Sequence, residues 1–377
     1  IDMARSLAIL LMLEGHFIDE TLAIEYRDDS NLLYATWHFI RGFTAPLFFS
    51  VTGLIFVYLL TKQKQVTFWK NKRITKGFRR SFELIFWGYF LQVYIFNIHK
   101  YFSANAPAGF FGFHVLQSIG VAIFTILIIY RIYSWIKTGP LWLYYFMAAI
   151  GILSIYPYIN SFPKDHYLPE NGPLIIQNMF RGPRAHFPII PWLSFSLFGA
   201  MLGSIIGPLG DRVRENWFPA TILSLGILLN LIVGLDLFSS IDYSLNDFKV
   251  NDRNYYFSSF EWIFSRFGQV LIVLGILMFI DLFFKIKDNL FIKTGQSTLQ
   301  IFIVHFIILY GGIFGYRLNK YLNKNLEPYQ AILGAILFIV LFLIFTKYLG
   351  HLTPIWNKFL YTISYPLRKL KTIIVKD

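Results

Sequence analysis

Arg5 and His16 carry the sharpest chemical pattern in the chain. They stand eleven residues apart in an otherwise apolar run. On an α-helix, eleven steps of 100° return to within about 20° of the start, so both side chains leave one face, about 16 Å apart along the axis. Asp2 lies three residues before Arg5 and can pair with it. A guanidinium presents a fixed fork that binds phosphate through two bonds, so Arg5 with Asp2 suits a phosphate-bearing ligand. An imidazole further along the same stripe suits proton transfer or nucleophilic attack. The plain alternative is an arginine anchoring the inner surface and a histidine capping an outer interface.

His305 sits inside a late apolar run, where it is either a hydrogen-bonded structural histidine or part of a site. His38 and Arg41, three residues apart, open another run; Arg181, Arg184 and His186 precede a third; Arg266 lies one turn into a fourth. With His16 they are expected to line a basic, partly aromatic outer mouth that holds a polar acceptor such as a sugar, against the alternative of interface anchoring. No metal is expected: the chain lacks cysteine and a His-Glu-x-x-His motif, and His16 with Asp19 supplies too few ligands for a closed site.

The composition says what must position these groups. Of 377 residues, 56% are hydrophobic and only 15% charged, against roughly 25% charged in a soluble domain. The chain reads as an all-α integral membrane protein, which excludes a disordered, collagenous, coiled-coil or soluble protein. About ten apolar runs reach spanning length, near 3–20, 38–60, 82–98, 114–134, 141–159, 187–206, 217–235, 261–284, 297–316 and 329–350. The first shows no signal-peptide pattern and is expected to be retained. The segment 61–81 holds Lys62, Lys64, Lys70, Lys72, Arg73, Lys76, Arg79 and Arg80, and the tail holds Lys358, Arg368, Lys369, Lys371 and Lys376; the 19–36 loop is acidic. By the bias of basic loops to the inside, both termini are cytoplasmic and the acidic loop lies outside, with longer outer loops near 160–186 and 236–260. The net charge of +13 is thus a topology signal. No nucleic-acid partner is expected, since no binding module accompanies the basic loop. Residues 1–377 read as one transmembrane domain.

Asp2-Met3-Ala4-Arg5-Ser6-Leu7-Ala8-Ile9-Leu10-Leu11-Met12 followed by His16 resembles the first-span signature of transmembrane acyltransferases, a group that includes acyltransferase family 3 and the heparan-α-glucosaminide N-acetyltransferase-like proteins. The arginine, ten residues, histidine spacing is a feature of the former. Three further segments match in order: Ala45 through Gly53; Phe187-Pro188-Ile189-Ile190-Pro191-Trp192 with Gly199 and Gly203; and Gly295 through His305. The two middle segments favour the acetyl-glucosaminide branch. In one departure, Ser6 stands where the family usually has glycine after the arginine, which removes a close-packing residue from that turn.

The resemblance implies transfer of an acyl group, in this branch acetyl, from cytoplasmic acyl-CoA to an extracytoplasmic acceptor, a sugar of a cell-envelope glycan or glycolipid. Coenzyme A would be held at Arg5 and the inner basic loop, its arm following the first helix to His16, the nucleophile or general base, with His305 as second catalytic candidate. Arg5 and Asp2 are then the donor-binding residues, and His38, Arg41, Arg184, His186 and Arg266 the acceptor-binding ones, with Arg41, Arg266 or His305 as candidates for an oxyanion partner. The protein is expected in the bacterial inner (cytoplasmic) membrane, among membrane lipid, and the reading leaves room for a homodimer. The competing classes are a transporter or flippase for a polar lipid or glycan, and a non-catalytic membrane scaffold.

Overall fold

The computed structural model describes residues 1–62, 68–102, 108–163, 165–235, 260–284 and 289–350. Lys64, the basic tail from Lys358 to Lys376 and nearly all of the 236–260 loop lie outside the described residues. Among the described residues the regular structure is helical, and only isolated bridges join extended segments. Helices run in the order α1 (Asp2–Thr21), α2 (Leu32–Arg41), α3 (Thr44–Thr61), α4 (Lys72–Phe90), α5 (Val115–Ile136), α6 (Leu141–Ser161), the short α7 (Leu174–Phe180), α8 (Ile189–Leu209), α9 (Trp217–Gly234) and α10 (Phe260–Phe284). A broken pair follows, α11 (Leu290–Gln296) and α12 (Thr298–Tyr310), bent by 82°. A single turn, α13 (Asn319–Leu322), leads to α14 (Pro328–Gly350).

Among the described residues seven helical segments are long and apolar enough to cross a membrane, and the broken pair makes eight, fewer than the ten read from the sequence. The difference lies in α1 and α4. Both have the length, but α1 carries Asp2, Arg5, Glu14, Asp19 and Glu20, and α4 opens on Lys72, Arg73, Lys76, Arg79 and Arg80. In α4 those cations share the helix with a buried stripe of Ile74, Gly77, Ser81, Leu84 and Trp87, so the helix packs into the bundle on one side only. Asparagine starts three helices by accepting a free first-turn N–H: Asn31 from Leu33, Asn71 from Arg73 and Asn289 from Ile292.

Helices α3 and α8 form the centre. A Cβ at Gly53 would land on the carbonyl of Ser196, and one at Gly199 on the carbonyl of Ser50, so only glycine lets the two backbones touch. Around them sit α5 and α6 on one side and α1 with the broken pair on the other. Against α1 also lies α14, whose Ala331, Ala335, Phe338 and Phe342 pack with Ile9, Leu13 and Phe17.

The turn at Ser6 keeps its close packing despite the missing glycine. Ser6 is fully buried and its hydroxyl donates to the Phe291 carbonyl at 2.6 Å and accepts from the Gly295 N–H at 3.1 Å. The small residue is supplied by the opposing helix, where a Cβ on Gly295 would lie 2.6 Å from the Asp2 carbonyl. Gly199→Val is expected to lower folding stability by about 3 kcal/mol through backbone collision, read as a drop in thermal midpoint in detergent.

Candidate active site

Arg5 and His16 both face α12. An Arg5 Nη2–H donates to the Thr298 hydroxyl at 3.4 Å, and Nη1 reaches the Asp2 carboxylate at 3.4 Å. Asp2 in turn accepts from the Gln296 amide at 3.4 Å. At the other end of the stripe the His16 and His305 rings stack, centroids 5.4 Å apart and planes 26° from parallel. The Tyr310 hydroxyl lies 3.0 Å from His16 Nδ1. The shared face read from the eleven-residue spacing is therefore present, and its partner is a single helix.

His305 is fully buried. Its Nδ1 lies 3.3 Å from the Ile301 carbonyl. A carbonyl only accepts, so Nδ1 carries the proton and Nε2 keeps the lone pair. Among the described residues that Nε2 is buried with no hydrogen-bond partner, an arrangement that costs free energy. In this tautomer Nε2 can take a proton or attack an electrophile. It cannot donate to an oxyanion, which removes the neutral ring from the oxyanion candidates.

A cavity of about 250 Å³ adjoins this face, bounded by α1, α3, α4, α5 and α12. Four cations line it, Arg5 from α1 and Arg73, Lys76 and Arg80 from α4. Its far wall includes Phe302, whose ring meets His305 edge-on at 4.9 Å. The rest is apolar, with Phe48, Val51 and Ile119 among the lining residues. A second, larger cavity of about 460 Å³ is lined by Asp2, Asp281, Arg214 and otherwise mostly apolar residues. Neither cavity is lined by a histidine; the smaller one comes nearest the stacked imidazoles, through Phe302.

The remaining sequence candidates divide. Arg41 packs against Gly15, one residue from His16, pairs with the Asp19 carboxylate and lies over the Trp37 ring at 5.8 Å. Trp37 in turn donates to the Glu14 carboxylate at 2.6 Å. Arg266 instead braces the junction of α2 and α3, donating to the Phe39 carbonyl at 3.1 Å and to Gln269 at 3.0 Å. His38 is exposed and meets Asp29 at 3.0 Å. Arg184 and His186 belong to another group: His186 stacks on His114 at 4.4 Å, and the connecting strand-like bonds run from Phe113 to Arg184 and His186. Among the described residues Arg184 and His186 are thus tied to the start of α5, Arg41 to the end of α1 and Arg266 to the α2–α3 junction.

Sequence reasoning missed Tyr310 and Thr298, and took the α4 cations as part of an inner basic loop without singling out Arg73, Lys76 and Arg80. Thr298 stands seven residues before His305, two turns along one face, which is a usable signal. Nothing in the periodicity singles out Tyr310, which reaches His16 from the last residue of α12.

Residues 1–234 match the family model described as heparan-alpha-glucosaminide N-acetyltransferase, catalytic. The chain belongs to that family. It is an integral membrane protein of N-acetyltransferase type, and the acetyltransferases of this family use acetyl-CoA as donor. No curated protein matches the chain. The match covers Arg5, His16 and the α4 cations, while His305 and Tyr310 lie beyond it.

Outside the spans, burial first, then His186 and Arg184, hold the His114 imidazolium down to a pKa of about 4, and burial with Arg184 lowers that of His186. Both are therefore neutral when folded near pH 7 and bind protons more readily when unfolded. Stability supported by their neutrality is complete above pH 6.5 and is lost as the pH falls toward 4. His114→Gln is expected to flatten that acid limb, measured as thermal midpoint against pH in detergent.

Proposed function

We propose that the protein moves an acetyl group from cytoplasmic acetyl-CoA to an extracytoplasmic acceptor, a sugar amine or hydroxyl of a cell-envelope glycan or glycolipid, in the bacterial inner membrane. Residues 1–377 act as one transmembrane acyltransferase domain, open to homodimer assembly. The observation that carries this reading is a cavity lined by four cations, Arg5, Arg73, Lys76 and Arg80, and by Phe302, whose ring touches the His305 imidazole that stacks on His16.

Coenzyme A fits this layout by chemistry. Its phosphates need cations and N–H donors, which Arg5, the α4 side chains and the open N-terminus of α12 supply. Asp2 and Thr298 hold the Arg5 guanidinium at the wall of that cavity. The thin, flexible arm suits an apolar passage. The thioester then arrives beside two neutral imidazoles. In the two-step form, His16 nitrogen bonds to the thioester carbonyl carbon, the C–S bond breaks and coenzyme A leaves as thiolate. The acceptor nitrogen or oxygen next bonds to that carbon, the C–N bond to His16 breaks, and the acceptor proton passes to the His305 Nε2 lone pair. In the direct form His16 is the base that takes the acceptor proton. Arg41, beside Gly15, is the oxyanion partner of this reading.

The test is acetyl transfer by purified protein in proteoliposomes with radiolabelled acetyl-CoA and a glucosamine-bearing acceptor. His16→Ala is expected to abolish product while leaving the thermal midpoint in place; full activity in that variant removes His16 from the reaction. Arg5→Gln is expected to raise KM for acetyl-CoA about tenfold, the loss of one charged hydrogen bond of roughly 1.5 kcal/mol, with kcat nearly unchanged. Uptake of label-free acceptor into sealed vesicles without any acetyl-CoA would favour a transporter instead.

A further inference from the structure

The acetyl-transfer reading leaves the second cavity, of about 460 Å³, without a use. Its volume falls within the roughly 300–1,000 Å³ of small-molecule sites. Much of its lining is apolar and comes from the interior of the bundle: Leu54 of α3 and Leu202 of α8 are buried, and Leu277 of α10 continues the wall. The polar lining carries both signs. Asp2 opens α1, Asp281 stands near the end of α10, Arg214 lies in the turn after α8, and Gln296 ends α11.

These charges do not cancel one another. Asp2 pairs with Arg5 and accepts from the Gln296 amide, each at 3.4 Å. Among the described residues neither Asp281 nor Arg214 forms an ion pair, although both line the one cavity. Both carboxylates act on one point, the Ile1 nitrogen, so Asp2 and Asp281 serve the same part of the cavity. A purely anionic ligand would meet two carboxylates there, and a purely cationic one would meet Arg214. A headgroup carrying both charges satisfies both. A primary ammonium has three N–H donors for carboxylates, and a phosphate accepts the forked bonds of a guanidinium. Phe283 and Phe284, which follow Asp281 closely on α10, are exposed, so the charged end of the cavity borders apolar surface that suits lipid.

We infer that this cavity is a binding site for a zwitterionic phospholipid of the phosphatidylethanolamine class, with its ammonium at Asp2 and Asp281, its phosphate at Arg214 and the first part of one acyl chain along Leu54, Leu202 and Leu277. The charged groups select the head and the apolar wall holds the chain. The site stands apart from acetyl transfer: it would bind the same lipid whether or not the protein moves an acetyl group.

Native mass spectrometry of the full-length protein, titrated in detergent with dioleoyl lipids, tests this without any acetyl donor. The protein is expected to retain one phosphatidylethanolamine with an affinity about tenfold above that for phosphatidylcholine, whose ammonium has no N–H, or phosphatidylglycerol, which has no cation. Asp281→Asn and Arg214→Gln are each expected to weaken phosphatidylethanolamine about tenfold, the loss of one charged hydrogen bond, with the thermal midpoint in lipid-free detergent unchanged. Soluble glycerophosphoethanolamine, the same head without chains, is expected to bind at least about 100-fold more weakly, since it buries no chain. Equal affinity for the three lipids, a preference for phosphatidylglycerol, or binding of the soluble head as tight as that of the lipid overturns the inference. So does an Asp281→Asn protein that folds and keeps the full preference. If that variant does not fold, Arg214→Gln and the comparison of lipids on the unaltered protein decide.

Discussion

One helix docked against one broken span holds this site together. Helix α1 meets the pair α11–α12 at both of its ends. At the first, Ser6 exchanges hydrogen bonds with Phe291 and Gly295, and Arg5 reaches Thr298. At the other, His16 stacks on His305 and meets Tyr310. The bend of 82° between α11 and α12 makes this possible. It turns α11 across the base of α1 while α12 runs beside it, so a single rigid seam carries a cation at one end and two imidazoles at the other. Shifting α1 by one residue would rotate both side chains by about 100° and break every one of these contacts.

Membrane surroundings set the energetic terms. In hydrocarbon an unpaired polar group is expensive, and polar residues are retained where they face protein or a cavity. The charged residues of α1 obey this. Asp2 and Arg5 pair with each other, Glu14 accepts from Trp37, Asp19 takes Arg41 and Glu20 takes Asn319. Among the described residues the buried Nε2 of His305 has no such partner, as is also true of the Ser50 and Ser118 hydroxyls. The α4 cations follow a related logic. They are basic enough to mark one face of a bilayer, and the same Arg73, Lys76 and Arg80 close one side of a cavity.

Glycine and serine do the close work between helices. Gly53 and Gly199 let α3 and α8 touch backbone to backbone, and Gly295 admits the first turn of α1. The exchange of family glycine for Ser6 is tolerated because the space is provided from the other side and because the serine hydroxyl finds two partners in the opposing backbone. Small residues on facing helices are interchangeable in this sense, so a missing glycine in one segment is read correctly only with its partner helix in view.

The linear chain determined what depends on composition and local spacing. Too few charges for a soluble surface required a membrane, and helices follow because only they satisfy the backbone locally. The eleven-residue interval put Arg5 and His16 on one face whatever the neighbours were. Contacts between distant segments were decided only on folding. The partner of that face, α12, lies some 290 residues away, and no periodicity within α1 encodes it. Tyr310 joined His16 because α12 ends there, and Arg184 and His186 were tied to the start of α5 because the loop before α8 bonded to Phe113. Side-chain azimuth is a property of one helix. Which helix it meets depends on how glycine contacts and a bent span set the packing of all the others.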